Sequence, residues 1–214
     1  MSDIIQEVVD RKFDIIKPTI EEISDLAEVP LYRVWNAYIY GSRVYGTNRN
    51  DSDYDIMLIA STLDAKKEIK GEKYNIHVIT PDLFIDDLNL YKMVPLECLY
   101  SPEIARIQEK RELYLNIDKM KLKKYILTQS NSSWTKAKFK LNENDILRGI
   151  KSVFHSLRIL DFGIQILKKG RINDFSHANH FWAEINDSNE IEWKYFNKKY
   201  LGAKKKLEWK LKRI

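Results

Sequence analysis

Two aspartates, Asp53 and Asp55, open an apolar run and have the side chains and spacing of metal ligands. Residues two apart in a strand share a face, so both carboxylates point the same way, with Cα atoms about 7 Å apart. Carboxylate oxygens are hard ligands that suit Mg²⁺ or Mn²⁺, ions that are often shared with substrate phosphates. Two such ions can hold the attacking and leaving oxygens of a displacement at phosphorus. The pair therefore predicts a metal site for chemistry at phosphorus.

A second short motif, Gly41-Ser42, follows an apolar run that we interpret as a strand over residues 32–40. Glycine lets the backbone approach a phosphate closely, and amide N–H groups at the start of a helix bind anions. Serine suits a helix cap, and its hydroxyl can donate a hydrogen bond. One short segment could therefore hold both a triphosphate and the metal. The alternative is an exposed turn followed by a strand with polar first residues.

The full string from Gly41 to Asp55, GSRVYGTNRNDSDYD, resembles the signature of the polymerase-β-like nucleotidyltransferase superfamily. Gly-Ser, ten residues and Asp-x-Asp follow one another between two predicted strands. The string is most similar to the branch of small predicted nucleotidyltransferases found in bacteria and large DNA viruses. The resemblance implies that Gly41, Ser42 and Arg43 bind the nucleotide, and that Asp53 and Asp55 bind Mg²⁺ or Mn²⁺ and are catalytic.

A third carboxylate, usual in the superfamily, has no obvious counterpart on the next predicted strand, residues 73–80. The resemblance aligns it with Asn75, which cannot act as a base and is a weaker metal ligand. His77 lies on the same strand face and could accept a proton, although a lone histidine on a strand is more often structural. Glu97, in PLECLYSP, matches a glutamate of the branch. The third position therefore stays open among Asn75, His77 and Glu97.

A long amphipathic helix is predicted from Glu143 or Asp145 to a Gly170 cap, because apolar residues recur every three or four positions. The opposite face carries basic and imidazole side chains: Arg148, Lys151, His155 and Arg158. Such a row is often a solvated face. The segment KSVFHSLRIL also resembles the branch, whose helical domain faces the catalytic domain across a cleft.

The resemblance implies that Lys151, His155 and Arg158 bind the nucleotide triphosphate. Lys136 belongs to a lysine cluster in SNSSWTKAKFKL, just before the long helix, and is a further candidate. A lysine cluster near phosphate is chemically sensible. An exposed helix face explains the cluster equally well.

The predicted fold class is α+β, with a small mixed β-sheet and flanking helices followed by an all-helical domain. Residues 1–116 form the nucleotidyltransferase catalytic domain in this interpretation, with helices over 3–16 and 81–91 and strands over 32–40, 54–60 and 73–80. Residues 61–73 are expected to be a connection, and 94–115 a loop and helix. Residues 117–214 form the helical domain with a basic carboxy-terminal tail, because strand-like alternation ends near residue 116.

The charge is concentrated at the carboxyl end. The chain carries +5 in total, whereas residues 194–214 hold nine basic residues and one acid. This tail favours a polyanion partner, with an RNA acceptor as our first expectation. Alternatives are an anionic membrane surface and a helix docked on the core with snorkelling lysines.

Other compositional features point to a cytoplasmic protein. The chain has a single cysteine, acids at positions 3, 7 and 10, and no apolar run long enough to span a bilayer. We therefore expect neither a signal peptide nor membrane insertion.

The function expected from the sequence is transfer of NMP from an NTP, with ATP as one candidate, to an acceptor hydroxyl, with release of pyrophosphate. The acceptor is expected on RNA, a tRNA or another 3′ end. One alternative is a protein acceptor, as in the AMP-adding nucleotidyltransferases of toxin-antitoxin systems. Another is a degenerate module that binds nucleotide or RNA without transfer, which the asparagine at position 75 makes plausible.

Overall fold

The computed structural model describes residues 15–214, which divide into two compact units, residues 15–116 and residues 117–214. Most of the helix predicted over residues 3–16 lies outside the described residues. The first unit combines a five-stranded sheet with helices, and residues 117–214 contain helices without strands. The predicted α+β fold class is therefore confirmed.

The first unit alternates short helices with the strands of one sheet. Its helices are α1 Ile20–Ala27, α2 Ser42–Tyr45, α3 Pro81–Asn89 and α4 Met93–Leu99, with 3-10 turns at Leu31–Arg33 and Glu103–Ala105. Its strands are β1 Val34–Tyr40, β2 Tyr54–Ala60, β3 Lys66–Lys70, β4 Tyr74–Ile79 and β5 Arg106–Glu109. The three strands predicted from the sequence correspond to β1, β2 and β4.

The sheet has the strand order β3-β4-β2-β1-β5, in which β2 and β4 are parallel and the other neighbours are antiparallel. Strand β2 is central, and its side chains from Ile56 to Ala60 are buried on both faces, which explains its nearly continuous apolar sequence. The register aligns Tyr40, Asp55 and Asn75 across three neighbouring strands. The polar residues that begin β2 and β4 therefore meet at one end of the sheet.

The sequence interpretation missed both edge strands. Residues 61–73 were expected to be a connection, but they contain β3, whose sequence KKEIK is exposed along almost its whole length. An edge strand rich in lysine resists pairing with other chains, and it lacks the apolar alternation that identifies buried strands. The helix expected within residues 94–115 ends early, because α4 stops at Leu99 and β5 follows.

The second unit consists of four described helices: α5 Lys119–Asn142, α6 Ile146–Lys169, α7 Asn179–Asn186 and α8 Trp193–Arg213. The Asp145 side chain caps α6 by accepting a hydrogen bond from the backbone N–H of Arg148. Gly170 ends the helix in the left-handed conformation, with a φ of 74°. The helix predicted between these two caps is therefore confirmed. No described helix is long and apolar enough to cross a bilayer.

Close helix packing in this unit depends on glycine. A Cβ atom built on Gly163 of α6 would lie 2.8 Å from Cγ2 of Ile126 on α5 and 3.1 Å from Cδ1 of Leu211 on α8. Isoleucine is stiff at χ1, so its branched methyl cannot swing away easily. Gly202, on the exposed side of α8, has no atom within 4 Å of the same position.

We expect alanine to have opposite effects at these two glycines. Gly163→Ala should lower the free energy of unfolding by about 1–3 kcal/mol through overpacking. Gly202→Ala should raise it by up to about 1 kcal/mol, because alanine has the better helix propensity. Urea denaturation followed by circular dichroism measures both changes. Equal destabilisation by the two variants would contradict the packing shown here.

Candidate functional site

The polar end of the sheet is organised by Gly41, the residue that follows β1. Its φ of 82° lies in a region that side chains rarely adopt. A Cβ atom at this position would lie only 2.5 Å from Oδ2 of Asp55. Backbone conformation and close approach thus both require glycine here, and the backbone entering α2 runs directly past the Asp55 carboxylate.

The short helix α2 begins with Ser42. The first N–H groups of a helix have no partner within the helix, so those of Ser42 and Arg43 are available to other acceptors. The N–H groups of Val44 and Tyr45 both donate to the carbonyl of Gly41, which closes the turn. The turn therefore presents backbone donors beside a carboxylate, an arrangement that suits a phosphate bridged by a cation.

The Asp55 carboxylate is oriented by its neighbour on the adjacent strand. Asn75 stands opposite Asp55 in the parallel pair, and its Nδ2 donates to Oδ1 of Asp55 over 3.2 Å. The residue at the third predicted position therefore acts on Asp55 as a hydrogen-bond donor. An amide in this place removes one negative charge from the site compared with a carboxylate.

Asp53 lies two residues before Asp55, at the exposed end of the loop that joins α2 to β2. Arg43 holds this loop, since its Nε donates to the carbonyl of Asp53 over 3.3 Å and its Nη2 donates to the carbonyl of Ser52. The guanidinium carbon also lies 3.8 Å from the ring centroid of Tyr54. The contacts of Arg43 thus fasten the backbone that carries Asp53.

A metal at this end of the sheet would have two carboxylate ligands from the protein. Among residues 15–214, no group of three or more His, Cys, Asp or Glu side chains is arranged to hold an ion. Mg²⁺ in phosphate-binding sites normally takes one or two carboxylates and completes its shell with phosphate oxygens and water. Asp53 and Asp55 therefore fit an ion shared with a bound phosphate, and they do not form an enclosed protein cage.

His77 and Glu97 are the other two candidates for the position of the third carboxylate, and they lie in different surroundings. His77 lies two residues after Asn75 on β4, with its Nε2 3.7 Å from Oε1 of Glu68. Glu97, on α4, is buried, and its Oε2 accepts a hydrogen bond from the Tyr45 hydroxyl. Because Tyr45 belongs to α2, this bond links Glu97 to the helix that starts at Ser42.

Tyr40 is a site residue that the sequence did not identify. Burial and the nearby Asp55, Cys98 and Glu97 raise the pKa of its hydroxyl far above the usual value, so it stays protonated. Asp55 and Glu97 thus both lie within electrostatic reach of one tyrosine. The only sequence signal for Tyr40 was its position immediately before Gly41, and none pointed to the Tyr45–Glu97 bond.

In the helical unit, the predicted basic row of α6 contains one side chain that is uncharged. Nη2 of Arg158 lies 2.7 Å from Nδ1 of His155. Burial, Arg158 and Lys136 together lower the pKa of His155 from 6.5 to about 3. His155 is therefore neutral, its Nδ1 accepts from the arginine, and its Nε2 carries the proton.

The four candidates of this unit differ in exposure. Arg158 is only 7% exposed, and its guanidinium carbon lies 5.3 Å from the ring centroid of Phe154. Lys136 and Lys151 are exposed, and Lys136 is near enough to His155 to affect its pKa. Lys136, His155 and Arg158 therefore lie in one neighbourhood, and the phosphate-binding role of all four stays a prediction.

The chain was compared with family models, with curated proteins and with solved structures. No family model matches the chain, and no curated protein matches it. Among solved structures, it is similar to a spectinomycin adenyltransferase from Enterococcus faecialis, solved with ATP and spectinomycin. That likeness has a TM-score of 0.48 and 16% identity, over 91% of this chain and 100% of the other.

A second solved structure is a nucleotidyltransferase-like protein from Exiguobacterium sibiricum, with a TM-score of 0.36 and 12% identity. It covers 87% of this chain and 71% of the other. Both TM-scores are below 0.5, so neither likeness indicates an activity of this chain.

The state of His155 has a measurable consequence for stability. Its folded-state pKa of about 3 lies below the ordinary 6.5, so the unfolded chain binds the proton first. His155 therefore contributes to the free energy of unfolding. This contribution is complete above the pKa that His155 has in the unfolded chain, and it is lost as the pH falls toward the pKa of His155 in the folded protein. Between about pH 7.5 and about pH 5, wild type should lose about 2 kcal/mol more unfolding free energy than His155→Gln.

Urea denaturation of both proteins at the two pH values measures this difference. Glutamine is the matched replacement, because its side-chain oxygen can still accept a hydrogen bond from Arg158. Histidine resonances in NMR spectra give a direct check, with the His155 signal unchanged over the same range. A His155 signal that titrates near its ordinary pKa would show that the imidazole is not held neutral.

Proposed function

We propose that this protein is a metal-dependent nucleotidyltransferase of the polymerase-β-like superfamily, which transfers NMP from an NTP to an acceptor hydroxyl. The observation that carries the proposal is the contact between Gly41 and Asp55, which sets backbone donors for phosphate beside a metal-binding carboxylate. The Gly-Ser and Asp-x-Asp motifs thus converge at one end of the sheet, as a shared phosphate and metal site requires. We assign this chemistry to the unit of residues 15–116.

Asp53 and Asp55 would hold Mg²⁺ or Mn²⁺, with Gly41 and Ser42 supplying contacts to the nucleotide phosphates. Bound there, the ion would neutralise phosphate charge and polarise the phosphorus centre. Arg43 acts on this site by holding the loop before Asp55, since its donors go to the carbonyls of Ser52 and Asp53. Asn75 keeps the Asp55 carboxylate turned in one direction.

The reaction forms a bond between the acceptor oxygen and the α-phosphorus, while the bond from that phosphorus to the β-phosphate bridging oxygen breaks. Pyrophosphate leaves with the bonding electrons, and the hydroxyl proton passes to a base. Asn75 cannot take this proton. Glu97 and His77 are the two candidates for this base, and the hydrogen bond between Glu97 and Tyr45 of α2 supports Glu97.

For the helical unit by itself, we propose Lys136, Lys151 and Arg158 as phosphate-binding cations. His155 fits a different role, because a neutral imidazole that accepts from Arg158 orients the guanidinium instead of adding charge. Arginine presents a planar set of donors that suits phosphate oxygens once its direction is fixed.

For the acceptor, we propose RNA, a tRNA or another 3′ end, on the basis of the basic carboxy-terminal segment. A second candidate function is nucleotide binding without transfer. It is favoured by Asn75, which leaves two carboxylates where the superfamily pattern has three. A protein acceptor is the remaining alternative, and the assay below includes it.

Transfer from each of four α-labelled NTPs, with Mg²⁺ or Mn²⁺, to small RNA or to lysate protein tests the proposal. Asp53→Asn and Asp55→Asn should each reduce labelling by about a hundredfold or more, since the ion supplies several kcal/mol of charge stabilisation. Chelation of the metal should abolish labelling. Asp64→Asn, at an exposed loop carboxylate, is the matched control and should retain full activity.

The pattern of labelling separates the candidates. Label in RNA identifies the acceptor proposed here, and label in protein identifies the alternative acceptor. NTP binding without label in either pool would favour the binding module and contradict transfer to these acceptors. In the same assay, loss of transfer in Glu97→Gln but not in His77→Gln would identify the base as Glu97.

Gly41→Ala should weaken nucleotide binding and lower activity together. The new methyl group would collide with the Asp55 carboxylate, and the residue would be strained at a φ of 82°. We expect the dissociation constant for NTP, measured by isothermal titration, to rise at least about tenfold, because a misplaced phosphate contact costs at least 1–2 kcal/mol. Gly202→Ala is the control, because a Cβ atom there meets no atom within 4 Å, and normal NTP binding by Gly41→Ala would refute the phosphate role of this turn.

A further inference from the structure

Helix α8 has one face that the helical unit covers and one that it leaves exposed. The covered face is apolar, with Phe196, Tyr200 and Leu211 buried. The exposed side carries basic residues along most of the helix. The two faces therefore have different roles, and the basic one is not needed for packing.

One lysine of this helix is buried. Lys204 is 4% exposed, and its Nζ donates to Oδ1 of Asn131 over 2.6 Å and to Oε1 of Glu208. Glu208 is the only acid of α8. The buried lysine therefore neutralises the one negative charge that could have offset the exposed cations.

Most of the exposed cations of α8 have no such compensation. Lys199 pairs with Glu184 over 3.7 Å. Within residues 15–214, no ion pair is made by the other seven: Lys194, Lys198, Lys205, Lys206, Lys210, Lys212 and Arg213. Seven exposed charges of one sign remain on a single helix.

An aromatic side chain stands among these cations. Trp209 is 57% exposed, and the guanidinium carbon of Arg213 lies 4.3 Å from its ring centroid. At 3.6 residues per turn, Lys198, Lys205 and Trp209 fall within an arc of about 40°. We call the set of Lys194, Lys198, Lys205, Trp209 and Lys212 the outward face of α8. From its first to its last residue it extends about 27 Å along the helix.

We infer that the outward face of α8 is a binding surface for single-stranded RNA, with lysines on the phosphates and Trp209 stacked on a base. Lysines along one face match a polyanionic backbone, and an exposed indole stacks most readily on the open face of an unpaired base. The choice of RNA over DNA rests on the acceptor in the proposed function. A bilayer fits less well, because the apolar residues that would enter it are already packed inside the helical unit.

The first test is binding of a fluorescent single-stranded RNA to the full chain by anisotropy, without NTP, over a range of salt concentrations. The outward triple variant Lys198→Gln, Lys205→Gln, Lys212→Gln should weaken binding by roughly one to two orders of magnitude near 0.1 M salt. The slope of log affinity against log salt should shrink by about 2, since each phosphate contact contributes about 0.7. The control triple Lys119→Gln, Lys124→Gln, Lys169→Gln neutralises three other exposed lysines and should bind nearly as wild type.

The second test concerns the stacking residue. Trp209→Ala should weaken binding of single-stranded RNA by roughly tenfold while leaving the salt slope unchanged. Binding of a duplex RNA should not respond to this substitution. Phe139→Ala removes another exposed aromatic, 59% exposed, from the same unit and is the matched control.

Several outcomes would overturn the inference. These are equal losses in the two triple variants, no effect of Trp209→Ala, tighter binding of single-stranded DNA than of RNA, and binding of anionic vesicles that depends on the same residues. Repeating the measurement with Asp53→Asn and Asp55→Asn separates this inference from the proposed function. RNA binding that requires the outward face but is never followed by transfer would refute only the proposed function. Transfer to RNA by an outward triple variant that binds RNA normally would refute only this surface.

Discussion

The carboxylate of Asp55 occupies the space where Gly41 would carry a side chain. This contact couples two requirements that are separate in the sequence, a residue with positive φ after β1 and a polar residue at the start of β2. Tyr40 pairs with Asp55 across the antiparallel strands, and this pairing fixes the distance between Gly41 and Asp55. Every other element of the site adds to this arrangement. Asn75 orients the carboxylate, Arg43 holds the loop, and Glu97 reaches α2 through Tyr45.

The helical unit solves a different problem, the burial of polar groups along its central helix. Asp161 of α6 is 5% exposed, and its two carboxylate oxygens contact Nε2 of Gln165 over 2.8 Å and Nδ1 of His177 over 2.7 Å. Oε1 of Gln165 in turn accepts from the backbone N–H groups of Asn173 and Asp174. Buried polar groups are tolerated when their partners are in place. The network also fastens the segment that follows Gly170 to the helix.

Charge is distributed unevenly along the chain, and burial changes its meaning locally. Lys204 and Arg158 are nominal cations that the fold has largely withdrawn from solvent, at 4% and 7% exposure. His155 has lost its capacity to become charged near neutral pH. Neighbouring lysines on α8 remain exposed. A count of basic residues in the sequence therefore overestimates the exposed positive charge on α6. For α8, the count does not show which basic residues are exposed.

The elements that could be predicted from the amino-acid sequence combine a strong apolar period with clear end signals. The helix between Asp145 and Gly170 and the strands on either side of Gly41-Ser42 are of this kind, because buried periodicity and capping act locally. Tertiary structure decided the edge strands, since KKEIK gains its conformation from pairing with β4 and not from its own pattern. It also decided the surroundings of Asn75, Tyr40 and Glu97. Those depend on strand register and helix packing between residues distant in the chain, which a linear motif does not encode.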